Sequence, residues 1–327
     1  MKRKFATSLF AACSILLSGA SLAQDAAKYP SDSVRIVVPF AAGGVADIFA
    51  RVVGDHLQKA FGKPFVVENV PGGGSINGVA QVARSKPDGL TLAVSGPGAI
   101  VINPLLRPDQ VPYKPLKDIV PVAMFDTVPN VLVINNNKIP VSSVPELIDY
   151  LKKNPGKVAY GSAGVGTTQH LAAEWFQQMT GTKMTHVPYP GSSRMITDLI
   201  GGQVGLVFDN VPLILPHAQS GKLTILATAS AKRADFDPKL PAVAEFLPGF
   251  ESGSWHGFLV PAGTPPEIVK KISDEVKIAM GKPETVKKFA DLGAEAVHKS
   301  PKEFEEHIAK ELTLWKGVIE KANVQVK

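Results

Sequence analysis

The feature that most constrains the fold is an alternation of short apolar runs with amphipathic helical patterns along residues 34–261. Runs such as VRIVVPF (34–40) and VGLVFD (204–209) are typical of buried strands. Between such runs lie segments with one apolar helical face, as in residues 45–57. Strands that alternate with helices predict the α/β class, with mostly parallel sheets flanked by helices.

Two extended segments predict that the chain forms two lobes. A chain of 327 residues with 45% hydrophobic content is long enough for more than one core. Residues 122–136 are apolar and interrupted by a proline, and residues 246–261 are rich in glycine and aromatic residues. If both segments cross between lobes, the first lobe joins residues 29–128 to 252–327 and the second lobe is 129–251. This arrangement predicts a hinge and a cleft between the lobes.

Residues 1–23 have the pattern of a secretory signal peptide. Basic residues occupy positions 2–4, an apolar stretch follows over residues 5–17, and the small residues Ser21 and Ala23 precede a cleavage site. We therefore expect cleavage after Ala23 and export. A signal anchor is the alternative, but the apolar stretch is shorter than the roughly 20 residues that a membrane span needs.

Removal of this segment changes the cysteine content and the charge of the chain. Cys13 is the single cysteine, and lipid attachment there is the weaker alternative because a very short apolar region would precede it. The formal net charge falls from +6 to +3, since the segment holds three basic and no acidic residues. The remaining basic residues are dispersed, so no nucleic-acid partner is expected. The mature protein should be soluble, without a disulfide or a thiol nucleophile.

Glycine-rich turns follow several of the predicted strands. In open α/β sheets, ligands bind beyond the carboxyl ends of the strands. Glycines let the backbone approach a ligand, and the following helix offers unpaired N–H groups and a partial positive charge. The turns therefore suit an anion, although any single one could be only a tight connection. They are PFAAGGVAD (39–47), VPGGGSING (70–78), SGPGAIVINP (95–104), GSAGVGTTQH (161–170) and PYPGSSRM (188–195).

Several polar residues near these turns have two interpretations. Asp47 lies near the start of its helix and could cap that helix or contact a ligand. Asn77 and His170 could orient a loop or touch a ligand. Asp209 ends an apolar strand and should point into the cleft or cap the next helix. Hydroxyls at predicted helix starts favour binding: Ser75, Thr167, Thr168, Ser192 and Ser193.

Enzyme motifs are not apparent in the sequence. The glycines of GSAGVG (161–166) stand in the reverse order of the dinucleotide fingerprint, and no P-loop motif occurs. The sequence VSGPG (94–98) is not a nucleophile elbow, and the seven histidines form no metal-ligand spacing. No cofactor, metal or catalytic residue is therefore expected. A secreted hydrolase stays open because catalytic triads are assembled in space.

Four blocks of the sequence resemble the Bug family, the periplasmic substrate-binding proteins of tripartite tricarboxylate transporters. The blocks are YPSDSVRIVVPFAAGGVADIFARVV, FGKPFVVENVPGGGSINGVAQVARSKPDGLTL, GSAGVGTTQHLAAE and HVPYPGSSRMITDLIGGQVGLVFD. The resemblance continues to the segment GFLVPAGTPPEIVKKI. It covers nearly the whole mature chain and implies a two-lobed, Venus-flytrap binding protein of the periplasm.

The resemblance also implies a site. In the family, two strand–loop–helix segments hold a ligand carboxylate through main-chain groups, hydroxyls and waters; here they correspond to residues 40–47, the first loop, and 161–170, the second loop. Alanines and a valine surround the first glycine pair, which fits backbone recognition. Asn77, Ser95 and Asp209 are added by position. The expected ligand-binding residues are Phe40, Ala42, Gly43, Gly44, Asp47, Asn77, Ser95, Ser162, Gly166, Thr167, Thr168, His170 and Asp209.

The expected partners follow from the same resemblance. The ligand would be a small organic carboxylate, such as a dicarboxylate, an acidic amino acid or an aromatic acid. The membrane permease subunits of a tripartite tricarboxylate transporter would receive it from a monomeric binding protein. A sensor that presents its closed form to a receptor kinase is the alternative, and the sequence does not separate the two.

Overall fold

The computed structural model describes residues 28–234, 236–322 and 324. The predicted signal peptide, its cleavage site and Cys13 lie outside these residues. The chain begins with β1 (Val34–Val38), α1 (Val45–Phe61), β2 (Phe65–Asn69), α2 (Ile76–Ala83), β3 (Thr91–Ser95), a π turn (Gly98–Ile102), α3 (Asn103–Leu106) and the long β4 (Ile119–Ile134).

The second half of β4 leads into a separate group of elements. These are α4 (Val144–Lys153), β5 (Ala159–Ser162), α5 (Thr168–Thr180), β6 (Thr185–Pro188), α6 (Ser192–Ile200), β7 (Leu206–Asn210), α7 (Val211–Gln219) and β8 (Thr224–Thr228). The chain then returns through β9 (Gly253–Pro261) to α8 (Pro266–Met280), α9 (Pro283–Asp291), β10 (Glu295–Lys299) and α10 (Pro301–Ala322).

The strands form two connected sheets. In the first, β1 pairs in parallel with β2 and β3, while β9 runs antiparallel to β3 and β4. In the second, β5 pairs in parallel with β6 and β7, while β4 runs antiparallel to β7 and β8. The α/β prediction is confirmed. Pairing is parallel inside the strand–helix–strand units and antiparallel where the long strands cross.

The long strand β4 belongs to both sheets. It pairs with β9 as far as Pro129 opposite Gly253, and with β7 from Asn130 opposite Asn210. The return segment crosses beside it, since Ser252 accepts the Asn130 N–H at 3.2 Å. Two adjacent crossing strands are the geometry of a hinge. The lobe boundaries expected from the sequence stay a prediction.

Each sheet is buried on both faces by helices. On one face of the first sheet, α1 packs against α8 and α9, and Phe49 stacks on Phe289 with 4.1 Å between ring centroids. The helix α10 covers the other face and reaches the second lobe, where Trp315 meets Trp175 of α5 at 6.2 Å. The second lobe has its own apolar clusters on both faces of its sheet. Burial on both faces explains the continuous apolar strands of the sequence.

Two local features differ from the sequence reading. The sequence SVPE (143–146) predicts a capping box, with Ser143 as N-cap and Glu146 at N3. Ser143 does cap α4, but Glu146 accepts the N–H of Ser142 at 2.8 Å rather than that of Ser143. Prolines and glutamates at 264–267, 282–284 and 300–303 predict a C-terminal run of helices. The region also contains β10, which pairs antiparallel with β4. Among the described helices, none is long and apolar enough to cross a membrane.

Candidate ligand-binding cleft

A cleft of about 780 Å³ lies between the two lobes. The first lobe contributes residues 39–41, 44–46, 71–75 and 96–98. The second lobe contributes residues 163–165, 167–169, 188–194, Asn210 and Leu213, and the crossing strand β9 adds Ser254 and His256. The glycine-rich turns identified in the sequence therefore meet at one place, beyond the carboxyl ends of their strands.

The first loop ends at a helix start that no side chain caps. Gly44 is the N-cap residue of α1 and has no side chain that could cap the helix. The residues that follow, Val45 and Ala46, line the cleft together with Gly44 and Phe40. First-turn N–H groups have no partner within a helix and carry its partial positive charge. This start is therefore available to an anion in the cleft.

Asp47 supports the first loop from behind the cleft wall. Its carboxylate accepts the Gly43 N–H at 2.9 Å and the Asn69 side-chain amide at 3.0 Å, and it lies 2.9 Å from the Arg51 guanidinium. Burial alone would raise the pKa of Asp47, but the hydrogen bonds from Arg51, Gly43 and Asn69 and the charge of Arg51 together lower it. Asp47 thus remains charged and fixes the curvature of the loop.

The second loop ends at a capped helix start. Thr167 is the N-cap residue of α5; its hydroxyl donates to the Gly164 carbonyl at 2.7 Å and accepts the His170 N–H at 3.4 Å. The next hydroxyl, on Thr168, lies 3.1 Å from that of Ser254 on the crossing strand. Both threonines line the cleft.

A group of buried and half-buried polar side chains supports the second loop from below. The Ser162 hydroxyl lies 2.6 Å from His186 Nε2 and accepts the Gly164 N–H at 3.2 Å. The rings of His186 and His170 stack with 4.2 Å between centroids. Burial, then the nearby charges of His186 and Arg107, lowers the pKa of His170 to about 3, and burial lowers that of His186 to about 4. Both imidazoles are neutral near pH 7.

The second loop touches the first lobe beside the cleft. Asn103 of α3 donates to the Gly166 carbonyl at 3.4 Å, and Arg107 donates to the Val165 carbonyl at 3.3 Å. Gly166 has a φ of +77°, and a Cβ there would lie 2.1 Å from the Asn103 side-chain oxygen. Glycine is required at this contact by both its conformation and its size.

Asp209 is fully buried at the end of β7, next to the cleft wall. One carboxyl oxygen, Oδ1, accepts from Ser192 at 2.9 Å and from Gln169 at 3.1 Å. The other, Oδ2, has no partner among the described residues. Burial raises the pKa of Asp209 to about 6, against hydrogen bonds from Asn210, Gln169 and Ser192 that lower it. The carboxyl organises the starts of α5 and α6.

The start of α6 is a second uncapped helix start in the cleft. Its N-cap residue is Gly191, which has no side chain that could cap the helix. Ser192, Ser193 and Arg194 follow it along the cleft wall. The Arg194 side chain is 68% exposed and lies 3.5 Å from Asp198, and Arg194 is part of the cleft lining. The sequence indicated this turn and its two serines as candidates, whereas Arg194 was missed.

The crossing strand contributes residues that no motif signalled. Ser254 and His256 stand two positions apart on β9 and line the cleft together. Alternate residues of a strand share a face, so this spacing was the one available signal. Tyr189, Gln169 and Asn210 also line the cleft and were not singled out by the sequence.

The predicted site residues fall into three groups. Phe40, Gly44, Thr167 and Thr168 line the cleft. Asp47, Ser95, Ser162, His170 and Asp209 are buried outside its lining. Ala42 and Gly43 are exposed on the first loop, Asn77 is exposed on α2, and Gly166 lies at the contact between lobes. Ligand contact by each of these residues stays a prediction.

The cleft contains few charged groups. Arg194 is the single Asp, Glu, Lys or Arg among its described lining residues. Within the described ranges, no three His, Cys, Asp or Glu side chains are grouped so that they could hold a metal ion. Two lobes, two crossing strands and a cleft lined by helix starts define the class of two-lobed solute-binding proteins.

Comparison with known proteins identifies the family. Residues 49–324 match the model of TctC, the tripartite tricarboxylate transporter family receptor. The chain is 36% identical to protein BugT of Bordetella pertussis, over 98% of this chain and 99% of that protein. The chain therefore belongs to the TctC family, and the resemblance to Bug proteins is confirmed. The family is periplasmic.

Solved structures of similar proteins share the fold. "R. palustris Rpa4515 with adipate" matches with a TM-score of 0.87 and 35% identity, over 91% of this chain and 99% of that one. "MatC (Rpa3494) from Rhodopseudomonas palustris with bound malate" matches with a TM-score of 0.83 and 29% identity, over 89% and 100%. The periplasmic binding protein BugD gives 0.85 and 31%, over 91% and 100%. The two-lobed architecture is thereby confirmed.

Proposed function

We propose that this protein captures a small organic carboxylate in the cleft and delivers it to the membrane permease of a tripartite tricarboxylate transporter. The observation that carries the proposal is the convergence of two uncapped helix starts. Gly44 of the first lobe and Gly191 of the second begin α1 and α6 on opposite sides of one cleft. Their free amides and partial positive charges suit an anion from both sides.

The remainder of the lining supports an organic acid rather than an inorganic anion. Phe40, Val45 and Leu213 provide apolar surface for a carbon skeleton. Thr168, Ser193 and Ser254 also line the cleft, and in this proposal their hydroxyls fix the orientation of the ligand. Two relatives support the ligand class, since their structures hold adipate and malate.

Closure of the lobes around the ligand explains how a membrane partner could distinguish the ligand-bound protein from the free protein. A carboxylate that accepts hydrogen bonds from both lobes stabilises the closed form by its higher affinity for that form. The hinge would lie between Pro129 and Asn130, where the sheet partners of β4 change, and near Ser252, just before β9 begins. We propose lobe boundaries close to this point, with residues 29–128 and 252–327 in the first lobe and residues 129–251 in the second. The permease would recognise the closed form.

Binding, in this proposal, is not followed by catalysis. Ser162 and His186 form the pair that most resembles a nucleophile and a base, at 2.6 Å. The Ser162 side chain is fully buried and lies outside the cleft lining. We assign the pair to loop support. The protein would act as a monomer in the periplasm after cleavage behind Ala23.

A thermal-shift screen of refolded, ligand-stripped protein tests the proposal. Adipate, malate, glutamate and benzoate are compared with maltose and spermidine. A ligand at 100 times its Kd adds about 2.7 kcal/mol of stability, which raises Tm on the order of 5 °C. A response to a sugar or a polyamine, with none to any carboxylate, would contradict carboxylate binding. Loss of uptake of the identified acid in a deletion strain tests transport.

A further inference from the structure

The crossing strands bring a buried acid and a histidine together at the cleft. Asp126 of β4 is fully buried, and its Oδ1 and Oδ2 lie 2.9 and 3.0 Å from His256 Nδ1. The His256 backbone N–H also donates to Oδ1, at 2.9 Å. A register shift between Met124 and Asp126 places this carboxyl opposite His256. Such irregularities commonly redirect a side chain at a functional site.

The other ring nitrogen of His256 is directed to the ligand space. His256 lines the cleft, and its Nε2 makes no hydrogen bond to any described residue. The Phe40 ring packs edge-on against the imidazole, with 6.3 Å between centroids. Gly96 lies beside the ring as well, because a Cβ there would be 3.9 Å from Nε2. The imidazole is thus held at Nδ1 and open at Nε2.

We propose that the Asp126–His256 pair donates a hydrogen bond from His256 Nε2 to the carboxylate in the cleft, and that binding is coupled to uptake of a proton by this pair. The inference rests on the proposed carboxylate ligand and assigns a residue to its recognition. It also gives the ligand affinity a dependence on pH.

The protonation states of the pair explain the coupling. With one proton, on Nδ1, the pair carries a negative charge and Nε2 presents a lone pair that repels a carboxylate. With two protons, the pair is neutral overall and Nε2–H is a donor. The second proton comes from bulk water, and no other bond forms or breaks. A buried pair without net charge is the less costly state, and an anionic ligand favours it further.

Charged and titratable groups approach the pair from several elements. The strand β10 pairs with β4 at Asp126, opposite Ala296, and carries Glu295, His298 and Lys299. Burial raises the pKa of Asp126, against the charge and the hydrogen bonds of His256. In the facing second lobe, Arg194 and Tyr189 line the cleft, and the titratable side chains of Asp209, His170 and His186 lie behind its wall. Glu311 of α10 bonds to Trp255, which points to the opposite face of β9. Phe40 of the first loop and Gly96 at the end of β3 lie against the ring and do not titrate, and Asp47 of that loop lies outside the cleft lining.

Two variants test the hydrogen bond from His256 Nε2 and the uptake of a proton separately. His256→Asn keeps a side-chain amide near the Nδ1 position but lacks Nε2, so adipate affinity should fall about tenfold or more. In Asp126→Asn, Oδ1 can still accept the His256 N–H while the amide donates to Nδ1, which leaves Nε2–H facing the cleft. This variant should bind adipate at all pH values without taking up a proton. His217→Gln, on α7 outside the cleft lining, is the control.

Calorimetric titration with adipate and with malate between pH 6 and 9, in two buffers of different ionisation enthalpy, counts the protons. We expect wild type to take up a fraction of a proton that approaches one, and to lose affinity as the pH rises. The Asp126→Asn variant should lose the uptake and keep the affinity. Binding by wild type without proton uptake, or unchanged by His256→Asn, would overturn this inference and leave carboxylate binding intact. Absence of binding to any acid of the thermal-shift panel would overturn both.

Discussion

The two loops that meet at the cleft look alike in sequence and are supported by different chemistry. The first loop is held by the charged carboxylate of Asp47, which bonds to Gly43, Asn69 and Arg51. The second loop is held by Ser162 and two stacked, neutral histidines. The first also leaves its helix start uncapped, while the second caps its helix with Thr167. The two halves of the site should therefore respond differently to substitution and to acid.

The largest difference between the two loops is expected when one glycine of each loop is replaced by alanine. Gly43 and Gly166 have φ values of +78° and +77°, but nothing lies within 4 Å of a Cβ at Gly43, whereas Asn103 lies 2.1 Å from one at Gly166. Gly43→Ala should cost about 1 kcal/mol of stability, and Gly166→Ala about 3 kcal/mol or more. Urea denaturation measures both. Equal effects would mean that the contact with Asn103 is loose in solution.

A carboxylate at the uncapped helix start should compete with the ligand. Gly44→Asp places a capping side chain and a negative charge where the ligand carboxylate is proposed to sit. Affinity for the identified acid should fall on the order of 100-fold, while stability is retained. The neutral cap in Gly44→Asn should weaken binding less. Unchanged affinity in both variants would remove the α1 start from the site.

Acid should weaken the second loop before the first. The pKa values of His170 and His186 are lowered to about 3 and 4, so the unfolded chain takes up protons first. Their stabilising effect is complete above about pH 6.5 and decreases as the pH falls toward 4, by up to about 1.4 kcal/mol per pH unit for each histidine. The pKa of Asp47 is lowered from the ordinary value of 3.8. Its contribution to stability is therefore complete above about pH 3.8 and is lost only at lower pH.

Hydrogen exchange at pH 7 and pH 5 compares the two loops directly. Protection should fall over residues 161–170 and persist over residues 40–47. In urea denaturation, His186→Gln should show a smaller pH dependence between 6.5 and 4.5 than wild type, which isolates this histidine from others with lowered pKa values. Identical pH dependence in both proteins would contradict the role assigned to His186.

The smallest expected effect concerns the cap of the second loop. Thr167→Ala removes the hydroxyl that bonds to Gly164 and His170, and should cost about 1 kcal/mol. Ser143→Ala, at the capped start of α4 outside the cleft, should cost a similar amount. Only the first variant should also weaken carboxylate binding, as a thermal-shift titration would detect. Equal affinities in the two variants would limit Thr167 to a structural role.

Part of this site could be predicted from the sequence because it depends on local chemistry. Glycines after apolar strands predicted where the chain turns into helices, and these turns do line the cleft. The start of α4 at Ser143 was predicted from its capping residue. Such features depend on neighbouring residues and on backbone sterics, so the order of the residues is sufficient to show them.

Other parts of the site depend on residues that are distant in sequence. His256 meets Asp126 across 130 positions, through the register of two crossing strands and one irregularity in β4. Arg194 reaches the cleft wall because α6 begins there. The strand β10 forms only because β4 offers it an edge.

The sequence by itself determined the α/β class, the glycine turns and the family blocks, because these follow from periodicity and local backbone preference. The tertiary structure decided which side chains face the ligand. Asp209 could have pointed into the cleft or capped a helix by sequence; packing buried it against Ser192 and Gln169. Burial and long-range pairing set the charge and direction of such groups, and neither is encoded in any single stretch of the chain.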